Sequence, residues 1–224
     1  MTSVQSTEAV QDYLKAIYTL AQHTQTVSTS AIADRLGVNP ASVTSMIKRL
    51  SDQGFVTYQR YQGVALTEAG ELLALEVIRH HRLLEAYLHL SLGVPWDKVH
   101  AEAEVLEHFL SEDLEDRIAG VLGNPTHDPH GDPIPPKTGT HRELGHQQLI
   151  DFPAGPAKVE RVSDRDPEAL RYLWDMGLRP GASITVLNKE PFGGPIWIKV
   201  GSRRRAIGPE LAAGIFVSGQ DASS

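Results

Sequence analysis

Residues 28–66 carry the signals that most constrain the fold, because they mark where two helices start and stop. The capping and stop residues, in chain order, are Ser28 or Thr29, Gly37, Asn39, Pro40 and Gly54. Small polar side chains cap helix N-termini, proline suits the first helical position, and glycine ends helices. This order predicts two short helices joined by a tight turn.

The second of these helices separates an apolar stripe from a small, polar outer surface. Val43, Met46, Ile47 and Leu50 have the spacing of a buried helix face. A hairpin is predicted next, since the β-rich runs FVTYQ and VALT flank the glycine-containing turn RYQG. Together these elements predict a winged helix-turn-helix. The alternative is a plain helical core with a surface hairpin.

The winged helix-turn-helix places its second helix in the major groove of DNA, so exposed residues of that helix are candidate contacts. Ala41 would lie near thymine methyl groups, and small polar side chains would face base edges. Arg49 and Arg60 are expected at phosphates. The candidate DNA-binding residues are Asn39, Ala41, Ser42, Thr44, Ser45, Lys48, Arg49 and Arg60.

The rest of the chain predicts further helices followed by a small β-barrel. Helices are predicted at residues 6–22, 67–92 and 95–122 from their apolar spacing. Residues 123–156 are rich in Pro, Gly, His and Asp without periodicity, which predicts a linker or a long ordered loop rather than a core element. After Lys158, short β-rich runs with turns predict the barrel, interrupted by one helix in PEALRYLWDMGL.

Composition limits the cellular compartments in which we expect the protein and the kinds of chemical site that it can have. The chain has no cysteine, which excludes disulfides, thiolate zinc sites and cysteine nucleophiles. It has no run of about 18 apolar residues and no signal-peptide pattern, so we expect a cytoplasmic protein without a membrane partner. The net charge of −7 argues against indiscriminate nucleic-acid binding but not against a local DNA-reading surface.

Acidic residues and histidines concentrate in the middle of the chain. Residues 67–120 hold 12 Asp and Glu against 4 Lys and Arg, whereas residues 28–66 hold 2 against 4. Five of the ten histidines lie between His80 and His108. The acidic middle and the mildly basic segment before it therefore have different roles.

Imidazole and carboxylate side chains recur at helical spacing in this middle segment. In HAEAEVLEH, residues 100–108, they fall at i, i+4, i+7 and i+8, the positions that share one helix face. His81 and Glu85 form a further pair at i, i+4, so two packed helices would bring both to His100 on one ion. Glu104, Glu107 and His108 remain for another ion. The alternative is a solvated helix surface.

The donor set indicates the kind of metal. Without thiols every ligand is oxygen or nitrogen, and carboxylate-rich sites suit Mn(II) and Fe(II) better than thiophilic ions. Zinc and copper bind such groups tightly as well, so selectivity has to come from geometry and availability.

The order of these elements resembles the diphtheria-toxin-repressor family of metal-dependent transcriptional repressors. The most specific stretches are RHHRLLEAYL, DKVHAEAEVLEHFLSEDLEDRI, PHGDPIPP and LRYLWDMGLRPGASITV. The resemblance implies an α+β, multidomain chain: a winged helix-turn-helix at 1–73, a helical dimerisation and metal domain with a Pro-rich exit loop at 74–145, and an SH3-like (FeoA-like) domain at 155–224. It also implies a homodimer bound to a palindromic double-stranded DNA operator.

The resemblance also assigns the metal ligands residue by residue. The family's primary site maps to Asp12, Glu104, Glu107 and His108. The ancillary site maps to His81, Glu85 and His100, with Asp166 as the match for a ligand from the SH3-like domain. The iron-responsive branch has sulfur residues at the positions of Asp12 and Glu104. Here both residues are carboxylates, as they are in the manganese-responsive branch. Lys15 departs from the compact manganese regulators, which have an acid at that position.

The function implied is a regulator, not an enzyme, that represses metal-uptake genes when Mn(II) is plentiful. An Fe(II)-responsive repressor of the same family is the first alternative, and a metal-independent DNA-binding protein is the second. A two-metal hydrolase is a third, but the sequence has no further acid–base pair or phosphate-binding loop to support it.

Overall fold

The computed structural model describes residues 7–22, 24, 26–59, 62–137 and 146–220, which fall into two compact units. The first takes in the described residues up to His81, together with Glu107–Leu110 and residues 135–137. The second takes in Arg82–Leu106, Ser111–Ile134 and the described residues from 146 onward. Within the described ranges, no helix is both long and apolar enough to cross a membrane.

The first unit contains the predicted winged helix-turn-helix, which is confirmed. Its elements are helices α1 (Glu8–Ala21), α2 (Thr29–Leu36) and α3 (Pro40–Asp52), strands β1 (Val56–Gln59) and β2 (Gly63–Leu66), and the start of helix α4 (Glu68–Leu90). The predicted caps are present, because Ser28 Oγ accepts from the Ala31 N–H at 3.1 Å and Asn39 Oδ1 accepts from the Ala41 N–H at 2.8 Å. Gly37 ends α2 in the left-handed conformation.

Packing behind α3 holds the reading helix in place. Val43, Ile47 and Leu50 are fully buried in the core of the first unit, as the apolar stripe predicts. The hairpin of β1 and β2 is joined by Val27, whose N–H and C=O both pair with Val64. At the start of α4, a Cβ on Gly70 would lie 2.0 Å from the carbonyl oxygen of Phe55, so glycine lets the helix approach the hairpin.

The segment predicted as one helix at 95–122 is broken, so that prediction is wrong. It forms helix α5 (Val99–Leu106), a 3-10 turn (Glu107–Phe109) and helix α6 (Glu112–Val121). The break follows from local chemistry, because Ser111 caps α6 by accepting from the Leu114 N–H. His100 and His108 consequently do not share a continuous helix face.

The second unit is built on a six-stranded antiparallel sheet in the order β3-β8-β4-β5-β6-β7. Its elements are β3 (Gln147–Gln148), β4 (Gly155–Val162), helix α7 (Pro167–Met176), β5 (Ser183–Lys189), β6 (Ile196–Val200), β7 (Arg203–Ile207), helix α8 (Pro209–Ala213) and β8 (Ile215–Gly219). The five longer strands and α7 match the runs expected from the sequence. β3 and α8 were not predicted. Buried apolar side chains of α7 and of the sheet pack into one core.

The described part of the proline-rich segment after α6, residues 123–137, is a loop, but its expected exclusion from the core is wrong. Asp128, His130 and Asp132 are all buried. Burial of Asp132 is compensated by Arg82 at 3.2 Å and Arg161 at 3.0 Å. Polar residues without periodicity can therefore lie inside a protein when partners from distant segments satisfy them.

Candidate metal centres and DNA-binding surface

The first cluster of ligand-type groups joins α1 to the 3-10 turn of the first unit. His108 Nε2 lies 3.1 Å from Asp12 Oδ1 and 3.9 Å from Glu107 Oε1. One ligand atom from each of the three residues falls within 4.8 Å of the others. The donors are two carboxylates and an imidazole, a set that suits a divalent first-row ion.

Gln11 orients the imidazole of this cluster. His108 Nδ1 lies 2.6 Å from Gln11 Oε1, an amide oxygen that only accepts, so Nδ1 carries the proton. The other ring nitrogen, Nε2, then faces Asp12. Metal-bound histidines are commonly held by such a hydrogen bond from the other ring nitrogen.

Lys15 occupies the other side of Glu107. Its ammonium donates to Oε1 at 2.9 Å and to Oε2 at 2.8 Å, and it lies 3.2 Å from His81 Nδ1. His81 Nδ1 is itself 2.5 Å from Glu107 Oε2. The Glu107 carboxylate is fully buried, and these contacts compensate its charge.

The second cluster lies in the second unit and contains Glu85, His100 and Asp164. His100 Nδ1 lies 3.2 Å from Glu85 Oε1 and 3.1 Å from Asp164 Oδ2. Burial lowers the pKa of His100, but hydrogen bonds with Asp164 and Glu85 outweigh it and raise that pKa to about 10. Burial raises the pKa of Asp164, but the hydrogen bond from His100 outweighs it and lowers that pKa to about 2. His100 is therefore a cation between two acids.

The third cluster shares Glu85 and adds Asp128 and His130 from the buried loop. His130 Nε2 donates to the Trp96 carbonyl at 3.0 Å, which leaves Nδ1 as its potential ligand atom. Nδ1 is 3.8 Å from Glu85 Oε2, beyond hydrogen-bonding distance, and among the described residues nothing hydrogen-bonds it. Burial and the nearby charges of Glu85 and Asp132 raise the pKa of Asp128 well above its usual value. The residues present fit a cation here.

Some of the metal ligands predicted from the sequence lie together in the structure, and others do not. Asp12, Glu107 and His108 meet in one cluster, and Glu85 and His100 meet in another. Glu104 lies in the second unit, with Oε1 3.7 Å from His100 Nε2. Asp166 caps α7 by accepting from the Glu168 N–H at 2.8 Å, so the acid beside His100 is Asp164.

Three candidate ligands escaped sequence reasoning. Asp128 and His130 stand in DPHGDP, where the alternation of acid and imidazole was a usable signal. Asp164 stands two residues before Asp166 in SDRDPE, and no local pattern distinguishes the two acids. The choice between them depends on where β4 ends and α7 begins.

The outer surface of α3 is open, as the DNA-binding prediction requires. Ala41, Ser42, Ser45, Lys48 and Arg49 are exposed. Two candidate contacts have local roles that compete with DNA. The Thr44 hydroxyl donates to the Pro40 carbonyl at 3.1 Å, and the Asn39 side chain caps the helix. Arg60 lies outside the described residues.

A winged helix-turn-helix combined with clusters of carboxylates and imidazoles defines a DNA-binding protein of the metal-responsive class. Family models match three consecutive segments of the chain. They are the iron dependent repressor N-terminal DNA binding domain at residues 5–64, the iron dependent repressor metal binding and dimerisation domain at 67–136, and the FeoA domain at 149–219.

Relatives match either almost the whole chain or about half of it. Iron-dependent repressor IdeR of Mycobacterium tuberculosis (strain ATCC 25618 / H37Rv) is 34% identical over 92% of this chain and 94% of its own. HTH-type transcriptional regulator MntR of Bacillus subtilis (strain 168) is 33% identical over 52% of this chain and 82% of its own. A solved manganese-dependent transcriptional repressor in complex with manganese is 39% identical over 94% of this chain and all of that chain, with a TM-score of 0.87.

The chain therefore belongs to the iron-dependent repressor family, which includes the diphtheria toxin repressor and MntR. It is a metal-dependent, DNA-binding transcriptional repressor of that family. Its DNA-binding and dimerisation domains make DNA and a second copy of the chain its partners.

Proposed function

We propose that this protein is an Mn(II)-responsive repressor that binds a palindromic operator as a homodimer and represses metal-uptake genes when metal is plentiful. The observation that carries the proposal is the pairing of Asp12 with His108 at 3.1 Å, because Asp12 lies on the helix that precedes the DNA-reading unit. A regulator of chromosomal genes acts where the chromosome is, so the cytoplasmic location expected from the sequence is part of the proposal.

We propose Asp12, Glu107 and His108 as the ligands of the primary site. Glu104, which the family resemblance assigns to the same site, stays a prediction from the sequence. Glu85, His100 and Asp164 are proposed for the ancillary site, with His81 one helical turn before Glu85. Asp128 and His130 are proposed as further ligands, since both are buried beside Glu85. The domain boundaries 1–73, 74–145 and 155–224 stay part of the same proposal.

The preference for Mn(II) is argued from the ligands. These sites contain carboxylates and imidazoles, and the chain has neither a cysteine nor, among the proposed ligands, a methionine. Hard oxygen donors favour Mn(II) over softer competitors. Fe(II) is the alternative effector, supported by the similarity to IdeR, whose name states iron dependence.

The switch follows from electrostatics at the first cluster. Without metal, Asp12 and Glu107 are two carboxylates beside one imidazole, and Lys15 at Glu107 only partly offsets their mutual repulsion. A bound divalent cation supplies the positive charge that neutralises this repulsion. Asp12 then holds α1 against the 3-10 turn, which selects one arrangement of the reading helix. In a dimer, that arrangement sets the spacing of two recognition helices.

The test of the proposal is recovery of genomic DNA fragments by the metal-stripped protein, with and without Mn(II), and with Fe(II) in an anaerobic parallel. We expect enrichment of a palindromic fragment only when metal is added, with Mn(II) the more effective ion. Enrichment that ignores metal would support a metal-independent DNA-binding protein instead. A stronger response to Fe(II) would place the protein with the iron-responsive repressors.

Metal uptake at the second cluster is expected to release a proton from His100. The pKa of about 10 means that His100 is protonated at neutral pH, so a metal ligand must first lose that proton. Asp164, with a pKa of about 2, is already ionised. The Mn(II) affinity should therefore rise with pH, up to about tenfold per pH unit between pH 6 and pH 8.

Calorimetric titrations with Mn(II) in buffers of different ionisation enthalpy measure this proton release. We expect about one proton more per chain for the wild type than for His100→Ala. Equal proton counts for the two proteins would contradict the assignment of His100 as a ligand.

Replacing Arg49 with alanine should weaken binding to operator and to non-operator DNA by about the same factor. The salt dependence of the affinity should fall by about one released counterion. Arg49 is exposed near the end of α3 and has the charge to contact a phosphate. Ser42→Ala on the same helix should instead change the sequence preference. Fluorescence anisotropy over a salt series separates the two effects, and a selective loss of operator affinity in Arg49→Ala would contradict the phosphate role.

Exposed apolar side chains in the matched dimerisation segment indicate a face that a second copy covers. Val105, Leu114 and Val121 are 65%, 47% and 71% exposed, and the last two lie two helical turns apart on α6. The double substitution Leu114→Glu with Val121→Glu should weaken dimerisation by about 100-fold or more, because charges would be buried in an apolar interface. Sedimentation equilibrium measures this, with Leu187→Glu on β5 as control. Equal dimer affinities would exclude this face.

A further inference from the structure

Lys15 stands among groups that otherwise resemble ligands. Its Nζ is 2.8 and 2.9 Å from the two oxygens of Glu107 and 3.2 Å from His81 Nδ1. An ammonium has three donors and no acceptor, so its two contacts with Glu107 are hydrogen bonds from a cation to a carboxylate. His81 Nδ1 lies 2.5 Å from Glu107 Oε2, which only accepts, so Nδ1 carries a proton and its contact with Lys15 is not a hydrogen bond. Only 15% of the Lys15 side chain is exposed, and the Glu107 side chain is fully buried.

The Glu107 carboxylate has different neighbours on its two sides. On one side Lys15 spans both carboxylate oxygens. On the other side Oε1 is 3.9 Å from His108 Nε2, which in turn is 3.1 Å from Asp12. The half with Asp12 and His108 offers acceptor atoms to a cation, whereas the half with His81 already contains a cation carried by the chain.

We propose that Lys15 is a tethered cation that fills one of two positions beside Glu107, so that this cluster holds one divalent ion and the ammonium competes with it for the Glu107 carboxylate. The proposal rests on the proposed function, since it takes Asp12, Glu107 and His108 as the metal ligands. Its physical basis is charge. A buried carboxylate that an ammonium already neutralises gains less from a second cation than an uncompensated one.

Three substitutions separate this role from a structural one. Lys15→Gln and Lys15→Ala remove the charge, and both residues are good helix formers suited to α1. Each should tighten Mn(II) binding at the cluster by about tenfold or more, because Glu107 loses its competing partner. Lys15→Glu turns the cation into a ligand and should add a second ion. Lys199→Gln on β6, where the side chain is exposed, is the control for net charge.

The measurement is Mn(II) binding by equilibrium dialysis, with EPR of the bound ion and circular dichroism to verify folding. Asp12→Asn identifies the binding phase that belongs to this cluster. In that phase we expect one Mn(II) per wild-type chain, tighter binding in the two neutral variants, and two ions with an exchange-coupled EPR signal only in Lys15→Glu. The control should bind as the wild type does.

Two results would overturn the role of Lys15. One is an affinity within about twofold of wild type in both neutral variants. The other is two ions in the Asp12-dependent phase of the wild type. Failure of the proposed function is a different result, in which the wild-type chain has no Asp12-dependent Mn(II) phase and its operator binding ignores metal.

Discussion

Replacing Asp12 with asparagine is expected to lower the Mn(II)-dependent gain in operator affinity by about 100-fold, while non-specific DNA affinity stays at the wild-type level. Asp12 is the ligand-type residue that α1 brings to His108 and Glu107. The amide keeps the shape of the side chain but removes the charge that a metal ion needs. The reading helix α3 is left intact, so DNA contacts that do not depend on metal persist.

Glu8→Gln is the matched control for this substitution. It makes the same change from acid to amide on α1, at an exposed position in the first turn. Fluorescence anisotropy with operator and scrambled duplexes, with and without Mn(II), measures the four affinities. Metal-dependent operator binding that survives Asp12→Asn, or falls equally in Glu8→Gln, would contradict the coupling role of Asp12.

Replacing Gly131 with alanine is expected to destabilise the second unit by about 4 kcal/mol. A Cβ at this position would lie 2.0 Å from the Glu160 carbonyl oxygen, and φ is +91°, where side chains are strained. The neighbours His130 and Asp132 would move with the loop. Mn(II) binding that depends on Glu85 should therefore fall as well.

Gly93→Ala separates the clash from the backbone strain. Gly93 also has a positive φ, +69°, but nothing lies within 4 Å of a Cβ there, so a loss of only about 1 kcal/mol is expected. Urea unfolding of both metal-free variants gives the comparison. Similar losses in the two proteins would mean that the loop yields at Gly131 and that the close contact with Glu160 is not required.

Local signals in the sequence were enough for the DNA-reading unit. Ser28, Gly37 and Asn39 act within one helical turn of themselves, through caps and a left-handed residue that need no distant partner. The same kind of local signal gave a wrong prediction at residues 95–122. Helical periodicity continues across Leu110, but a serine cap at Ser111 restarts the helix and places Glu107 and His108 in a 3-10 turn.

The candidate metal sites likewise combine residues that the sequence predicted with residues that only the tertiary structure brought to them. By itself the sequence determined the winged helix-turn-helix and the helical His–Glu spacing that identified Glu85 and His100, because periodicity and caps are properties of a single segment. Only the tertiary structure decided that Asp164, Asp128 and His130 accompany Glu85 and that Lys15 faces Glu107. Those groups come from segments far apart in the chain, and their burial and charge pairing depend on packing that no local pattern encodes.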